Sequence, residues 1–270
     1  MLDVNISKKG YAVSSGNTDS HIVLQDVKFE VQNNEFVCIV GPSGCGKTTT
    51  LRLILGLDGR YDGHISVNTG QNAGVVFQEP RLLPWRSVLQ NITMVQDEPD
   101  QPLVEELLDV LGLSNHKDFF PGQLSLGLAR RAALARAFAV KPSLLILDEP
   151  FVSLDEPTAQ RLRQLLLEIW SSRPTMALMV THNIREAMQL ADRIVVFSAR
   201  PGTIRGEFIV DVDRSARTAT GISALVEAFE RRFPESDLPD SGVSELGGNP
   251  QDDRTTSVTG RTTKLRVVPT

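Results

Sequence analysis

The sequence predicts an α/β fold, a parallel sheet flanked by helices with a helical segment inserted into it. Three observations carry that expectation. The run FVCIV (36–40) is continuously apolar, as a strand buried on both faces is, and it leads directly into GPSGCGKTTT and the helix-forming TTTLRLILGL. Strand, glycine loop and helix in that order open a parallel α/β unit. Two further runs of buried-strand type, SLLILDEP (143–150) and TMALMVT (175–181), follow downstream. Between them a helix is expected from Pro157, because Leu162, Leu165, Leu166 and Ile169 fall on one face at helical spacing.

The remaining elements follow in chain order. IVLQDVKFEV, ahead of the loop, alternates apolar and polar residues and reads as a strand. From about residue 85 to 140 no convincing strand occurs. Pro102 opens a helix with Val104, Leu107, Leu108 and Leu111 on one face, and LSLGLARRAALARAFAV opens another, so this stretch reads as a helical insertion. Ile222, Leu225, Val226, Phe229 and Phe233 form a last amphipathic stripe, which Pro234 stops. Beyond it, SDLPDSGVSELGGNPQDDRTTS holds too little apolar surface to fold alone. The expected division is therefore one domain over 1–215, an amphipathic helix over 216–234 and a disordered tail over 235–270.

Composition excludes some functions. With 270 residues and 41% hydrophobic content the chain can bury a full core. It has no run near the ~18 to 20 apolar residues that span a bilayer, and MLDVNISKKG lacks the apolar segment of a secretory signal. Any tie to a membrane is expected to come through a partner. A formal charge of -5 argues against a nucleic-acid surface built from bulk positive charge. The only two cysteines are Cys38 and Cys45; a disulfide at Cys45 would freeze the glycine loop, so a reducing cytosol is the simpler setting.

The chemistry is concentrated in two motifs. Gly41, Pro42, Ser43, Gly44, Cys45, Gly46, Lys47 and Thr48 match G-x-x-x-x-G-K-[ST]. Glycines let the backbone wrap closely so that successive N–H groups face phosphate oxygens, and the helix that follows adds its positive end. Lys47 supplies a cation for the β- and γ-phosphates, Thr48 a hydroxyl for Mg²⁺, and Thr49 continues the same turn. In LLILDEP, Asp148 sits at the C-terminal end of a parallel strand, where α/β sheets bind ligands. Asp148 is expected to hold the metal and Glu149 to polarise an attacking water, so ATP with Mg²⁺ is the expected ligand. Cys45, lying in the loop, is expected to be alkylated by a maleimide unless ATP protects it.

Over about residues 10–210 the chain resembles the nucleotide-binding subunit of an ABC transporter. Gln78 in VVFQEPRLLPW resembles the glutamine that touches Mg²⁺ and the reacting water. LSLGLARR (124–131) resembles the family signature, with Ser125 and Gly127 as its phosphate-facing residues. Ser153-Leu154-Asp155 resembles the loop that offers Asp155 to the nucleotide site, and His182 in VTHNIREA resembles the switch histidine. Tyr11 matches the place of an adenine-stacking residue. The resemblance implies a P-loop NTPase core of ABC ATPase type, with an N-terminal antiparallel β portion and an inserted α-helical subdomain. It also implies a head-to-tail dimer of two copies sandwiching ATP, and integral membrane permease subunits contacted near Leu82, Leu83 and Trp85. A place on the cytoplasmic face of the cell membrane follows.

FQEPRLLPWRSVLQNI is similar to importers of nitrate, sulfonate, taurine and related small anions, which use a periplasmic solute-binding protein. The alternatives are the motor of a lipid or other organic-compound transporter, a soluble ABC ATPase outside transport, and a nucleotide-responsive module without turnover. Two departures from the family pattern stand out. Leu126 replaces the first glycine of the signature pair, and Asn33-Asn34 replaces the glycine expected before the loop-leading strand. Ser125 is also a good helix N-cap, a role compatible with phosphate binding.

Overall fold

Every residue of Phe36–Val40 (β3) is buried, as its unbroken apolar run requires of a strand covered on both faces. A computed structural model describes residues 1–11, 21–67, 72–234 and 266–267. β3 lies inside a seven-stranded sheet whose order is β10-β5-β6-β7-β3-β8-β9. Its members are β5 (Asn72–Val76), β6 (Leu144–Asp148), β7 (Met176–Thr181), β8 (Arg193–Phe197), β9 (Ile204–Ile209) and β10 (Arg266–Val267). All pairings are parallel except β8 with β9. Each fully buried Val, Leu or Ile contributes about 1.5–3 kcal/mol, so this central stack is a main source of stability.

A second, antiparallel sheet covers one side. β2 (His21–Val31) pairs with β1 (Leu2–Tyr11), which pairs in turn with β4 (Asp62–Val67). In β2 the alternation read from the sequence places Val27, Phe29 and Val31 inside and Gln25, Lys28 and Glu30 outside. β1 escaped the sequence reading although Leu2, Val4 and Ile6 alternate inward in the same way. Asn34, after β2, takes φ 59, the left-handed turn geometry for which the family uses glycine.

Between β5 and β6 the described chain is helical: α2 (Val88–Thr93), α3 (Gln101–Val110) and α4 (Leu126–Ala139), with short 3₁₀ turns. α1 (Lys47–Ile54), α5 (Glu156–Ser172) and α6 (Ile184–Leu190) flank the main sheet, and α7 (Ala219–Arg232) buries Ile222, Val226 and Phe229. Leu225 and Phe233 pack partly against the same core. Of the segment expected to be a disordered tail, Arg266–Val267 lies parallel to Asn72–Ala73. Residues 235–265 and 268–270 lie outside the described residues. Among the described residues, no helix is long and apolar enough to cross a membrane.

Candidate nucleotide-binding site

The loop between β3 and α1 owes its shape to glycine at two positions. Gly44 has φ +76, and Gly46 has φ +102 with a Cβ there falling 2.4 Å from Leu24 Cδ2. Gly46 is the N-cap of α1 and offers no side-chain cap, so the first N–H groups of the helix stay available to an anion. Lys47 is buried and folds back over the loop, donating to the carbonyl oxygens of Gly41 at 2.7 Å and Pro42 at 3.0 Å.

β6 delivers Asp148 to the same place. The Thr48 hydroxyl donates to Asp148 Oδ1 at 3.1 Å, joining residues from opposite halves of the site. Burial pushes the Asp148 carboxyl above its usual range, and the charge of Glu149 adds to this. The hydroxyl of Thr48 and the cations Arg81 and Lys47 act against that rise. A cleft of about 350 Å³ adjoins this pair, lined also by Arg52, Phe77 and Arg81. Among the described residues no group of three or more His, Cys, Asp or Glu side chains could hold a metal. The Thr48–Asp148 oxygens nevertheless fit Mg²⁺, which is commonly held by one or two protein oxygens together with phosphates and water.

Glu149 follows Asp148 at φ 44, an uncommon conformation for a residue with a side chain. Its N–H donates to Val180 O at 3.0 Å, which turns the carboxylate off the end of the sheet. There Glu149 Oε1 stands 3.4 Å from His182 Nδ1, and both line a smaller cleft of about 180 Å³. Glu186, on the wall of that cleft, accepts from Thr181 Oγ1 at 2.7 Å and is pushed upward by burial.

The structure thus brings Gly41 to Thr48, Asp148, Glu149 and His182 to one end of the parallel strands. Gln78 is exposed just past β5, on the loop that runs on to Arg81. Tyr11 is 43% exposed; its hydroxyl donates to Asp58 Oδ2 at 2.7 Å, and the Lys9 ammonium covers one ring face at 4.5 Å. Ser125, Gly127 and Asp155 line neither cleft. Ser125 caps α4 by accepting from Leu128 N, and Asp155 caps α5 by accepting from Thr158 N at 3.0 Å. A Cβ on Gly127 would stand 3.0 Å from Thr158 Cγ2, so the signature and the start of α5 are neighbours. Leu126 is 42% exposed beside them.

One expectation is corrected. Cys45 is only 1% exposed, and burial raises its thiol against the lowering charge of Lys47, so it is neither accessible nor readily ionised. Its sulfur would lie 3.1 Å from a Cβ on Gly41, and the residue packs in the buried core with Leu24 and Phe197. The helical insert supplies residues the sequence reading missed. Arg130 of α4 donates to Pro150 O at 2.7 Å and Val152 O at 2.6 Å, clamping the turn after Glu149. Arg136 donates to Arg81 O at 2.8 Å and Pro80 O at 2.9 Å, clamping the loop after Gln78. Burial brings Arg136 down to about 10. α4 carries three arginines, Arg130, Arg131 and Arg136, and nothing in their spacing announces which loop carbonyls Arg130 and Arg136 meet.

Comparison with known proteins agrees with this geometry. A family model for the ABC transporter matches residues 24–152. The chain is 39% identical over 244 residues to the aliphatic sulfonates import ATP-binding protein SsuB 2 of Burkholderia cenocepacia (strain HI2424), covering 86% of this chain and 88% of that protein. It is 39% identical over 220 residues to SsuB of Bacillus licheniformis, covering 78% and 85%. Among solved structures, the dimeric post-hydrolysis state of the ATP-binding cassette MJ0796 bound to ADP and Pi aligns with TM-score 0.68 at 26% identity. That alignment covers 79% of this chain and all of the other.

Proposed function

The chain belongs to the ABC transporter family as an import-type ATP-binding subunit that hydrolyses ATP, and from that premise we propose that it powers uptake of a small sulfonate-type anion. The observation that carries the motor reading is the contiguous line from Thr48 through Asp148 and Glu149 to His182. The cargo reading is supported by the names of relatives that share most of the chain's length. Taurine, an aminosulfonate, falls inside that chemical class; nitrate does not.

In this reading the loop N–H groups and the α1 N-terminus bind the β-phosphate, and Lys47 exchanges its two loop carbonyls for phosphate oxygens. Thr48 and Asp148 would hold Mg²⁺, which when bound neutralises charge on the phosphates during transfer. Glu149 orients the attacking water and accepts its proton, with His182 fixing the carboxylate and the γ-phosphate end. Gln78 reaches the same water from a loop that Arg136 steadies. Tyr11 stands at the adenine end.

Ser125, Gly127 and Asp155 act on the nucleotide of a second copy. Dimeric cassettes of this fold and the position of all three outside the two clefts described above support that assignment. Membrane permease subunits would dock near Trp85, which is 68% exposed. The subunit would work peripherally on the cytoplasmic face, with a periplasmic solute-binding protein delivering the anion.

Glu149→Gln tests the motor. The variant should bind ATP, stall before hydrolysis and elute as a dimer on a sizing column, while wild type elutes as a monomer after turnover. Turnover at the wild-type rate in that variant would remove Glu149 from its role. The cargo is tested by uptake: cells lacking this chain should lose accumulation of labelled alkanesulfonate and keep that of sulfate. Unchanged sulfonate uptake would sink the cargo assignment while leaving the motor intact.

A further inference from the structure

Two successive carbonyls of the phosphate loop face a single turn of the chain, Ser198–Thr203, between β8 and β9. Arg200 Nε donates to Gly44 O at 3.2 Å. Gly202 lies so close beneath Cys45 that a Cβ on it would stand 2.0 Å from the Cys45 carbonyl oxygen. In a trans peptide the N–H points opposite to the C=O of the same unit. The N–H groups of Cys45 and Gly46 are therefore directed away from the turn, and that of Cys45 turns into the loop, where it donates to Pro42 O at 3.4 Å.

The turn is itself firmly held. Gly202 N donates to Val23 O at 2.8 Å, and Gln25 N donates to Gly202 O at 2.9 Å, so β2 grips it from both directions. Ser198 Oγ receives the Thr203 N–H at 3.0 Å and closes the turn on itself. Arg200 is anchored beyond the loop as well, because its Nη1 meets His21 Nε2 at 2.5 Å at the start of β2. By contrast, a Cβ on Gly44 would have nothing within 4 Å, so this corner of the loop is otherwise open to distortion.

We propose that Arg200 is a positioning residue for the phosphate loop, holding the Gly44 carbonyl outward and with it the Pro42–Cys45 turn that sets the loop's shape around the nucleotide phosphate. The proposal deepens the nucleotide-site reading and rests on it. Arg200 acts through the loop backbone, and its guanidinium carries a fixed charge on the outer side of the same loop.

The test uses the full chain, fluorescent ATP and ADP analogues with Mg²⁺, steady-state hydrolysis and thermal melting, with Lys47→Ala as control. Arg200→Ala should raise the dissociation constants of both nucleotides about fivefold, the scale of one exposed charge-assisted hydrogen bond. Its kcat at saturating ATP should stay within about twofold of wild type, with an unchanged Tm. Arg200→Lys, which retains a cationic donor, should recover most of the affinity. Wild-type affinity in Arg200→Ala, or equal losses of affinity and Tm that lysine does not recover, overturns the proposal. If Lys47→Ala also binds like wild type, the site reading fails instead.

Discussion

The Thr48 hydroxyl and the Asp148 carboxylate meet at 3.1 Å although 100 residues separate them in the chain. α1 follows β3 and Asp148 ends β6, with β7 between those two strands, so the contact reports the register of the central sheet. The electrostatic cost of bringing the pair together falls on Asp148.

That cost sets a pH signature. Asp148 has a native pKa raised by burial and by Glu149, so the folded chain holds this proton more tightly than the unfolded chain does. The nucleotide-free protein carries the full penalty above the native pKa and regains stability as pH falls through it toward the ordinary carboxylate range. Asp148→Asn should raise Tm at neutral pH, flatten that part of the pH profile and lower Mg²⁺-dependent hydrolysis by about 10²-fold or more. Melting curves across pH and an ATPase assay check both; a lower Tm in the variant would contradict the sign.

Cys45 should resist modification. Because its thiol is buried and pushed up, native protein at pH 7 should take up maleimide far more slowly than urea-unfolded protein, with or without ATP. Mass spectrometry of timed samples checks this. Rapid labelling that ATP slows would restore the expectation of a thiol facing the nucleotide.

Arg136 should matter to the loop that carries Gln78. Arg136→Ala leaves the carbonyls of Pro80 and Arg81 without their donors and opens space in a packed helix. A stability loss of about 2–4 kcal/mol is expected, read by urea unfolding. Arg136→Met, which refills the space without the donors, should recover part of the stability and little of the hydrolysis rate.

Leu126 tests the altered signature. It is exposed at the first turn of α4, so Leu126→Gly should cost less than about 1 kcal/mol of stability. If the side chain limits approach of a second copy, the variant should hydrolyse ATP faster and dimerise at lower concentration. An unchanged rate would mean that Ser125 and Gly127 suffice.

The phosphate loop, Asp148 and Glu149 and the inserted helices were legible because each depends on local pattern. Glycines at 44 and 46 answer to backbone geometry, and FVCIV and LLILD answer to burial on both sides of a parallel sheet. Tertiary structure alone decided which long-range partners met. Arg130 and Arg136 look like surface charges until α4 is packed with its arginines facing loop carbonyls. Arg200 meets Gly44 across 156 residues, and Cys45 of the loop turns out to be buried in the core. Hydrogen bonds to backbone carbonyls impose no residue type on the acceptor, so no pattern in the chain announces them, whereas periodicity and glycine placement are written in residue type itself.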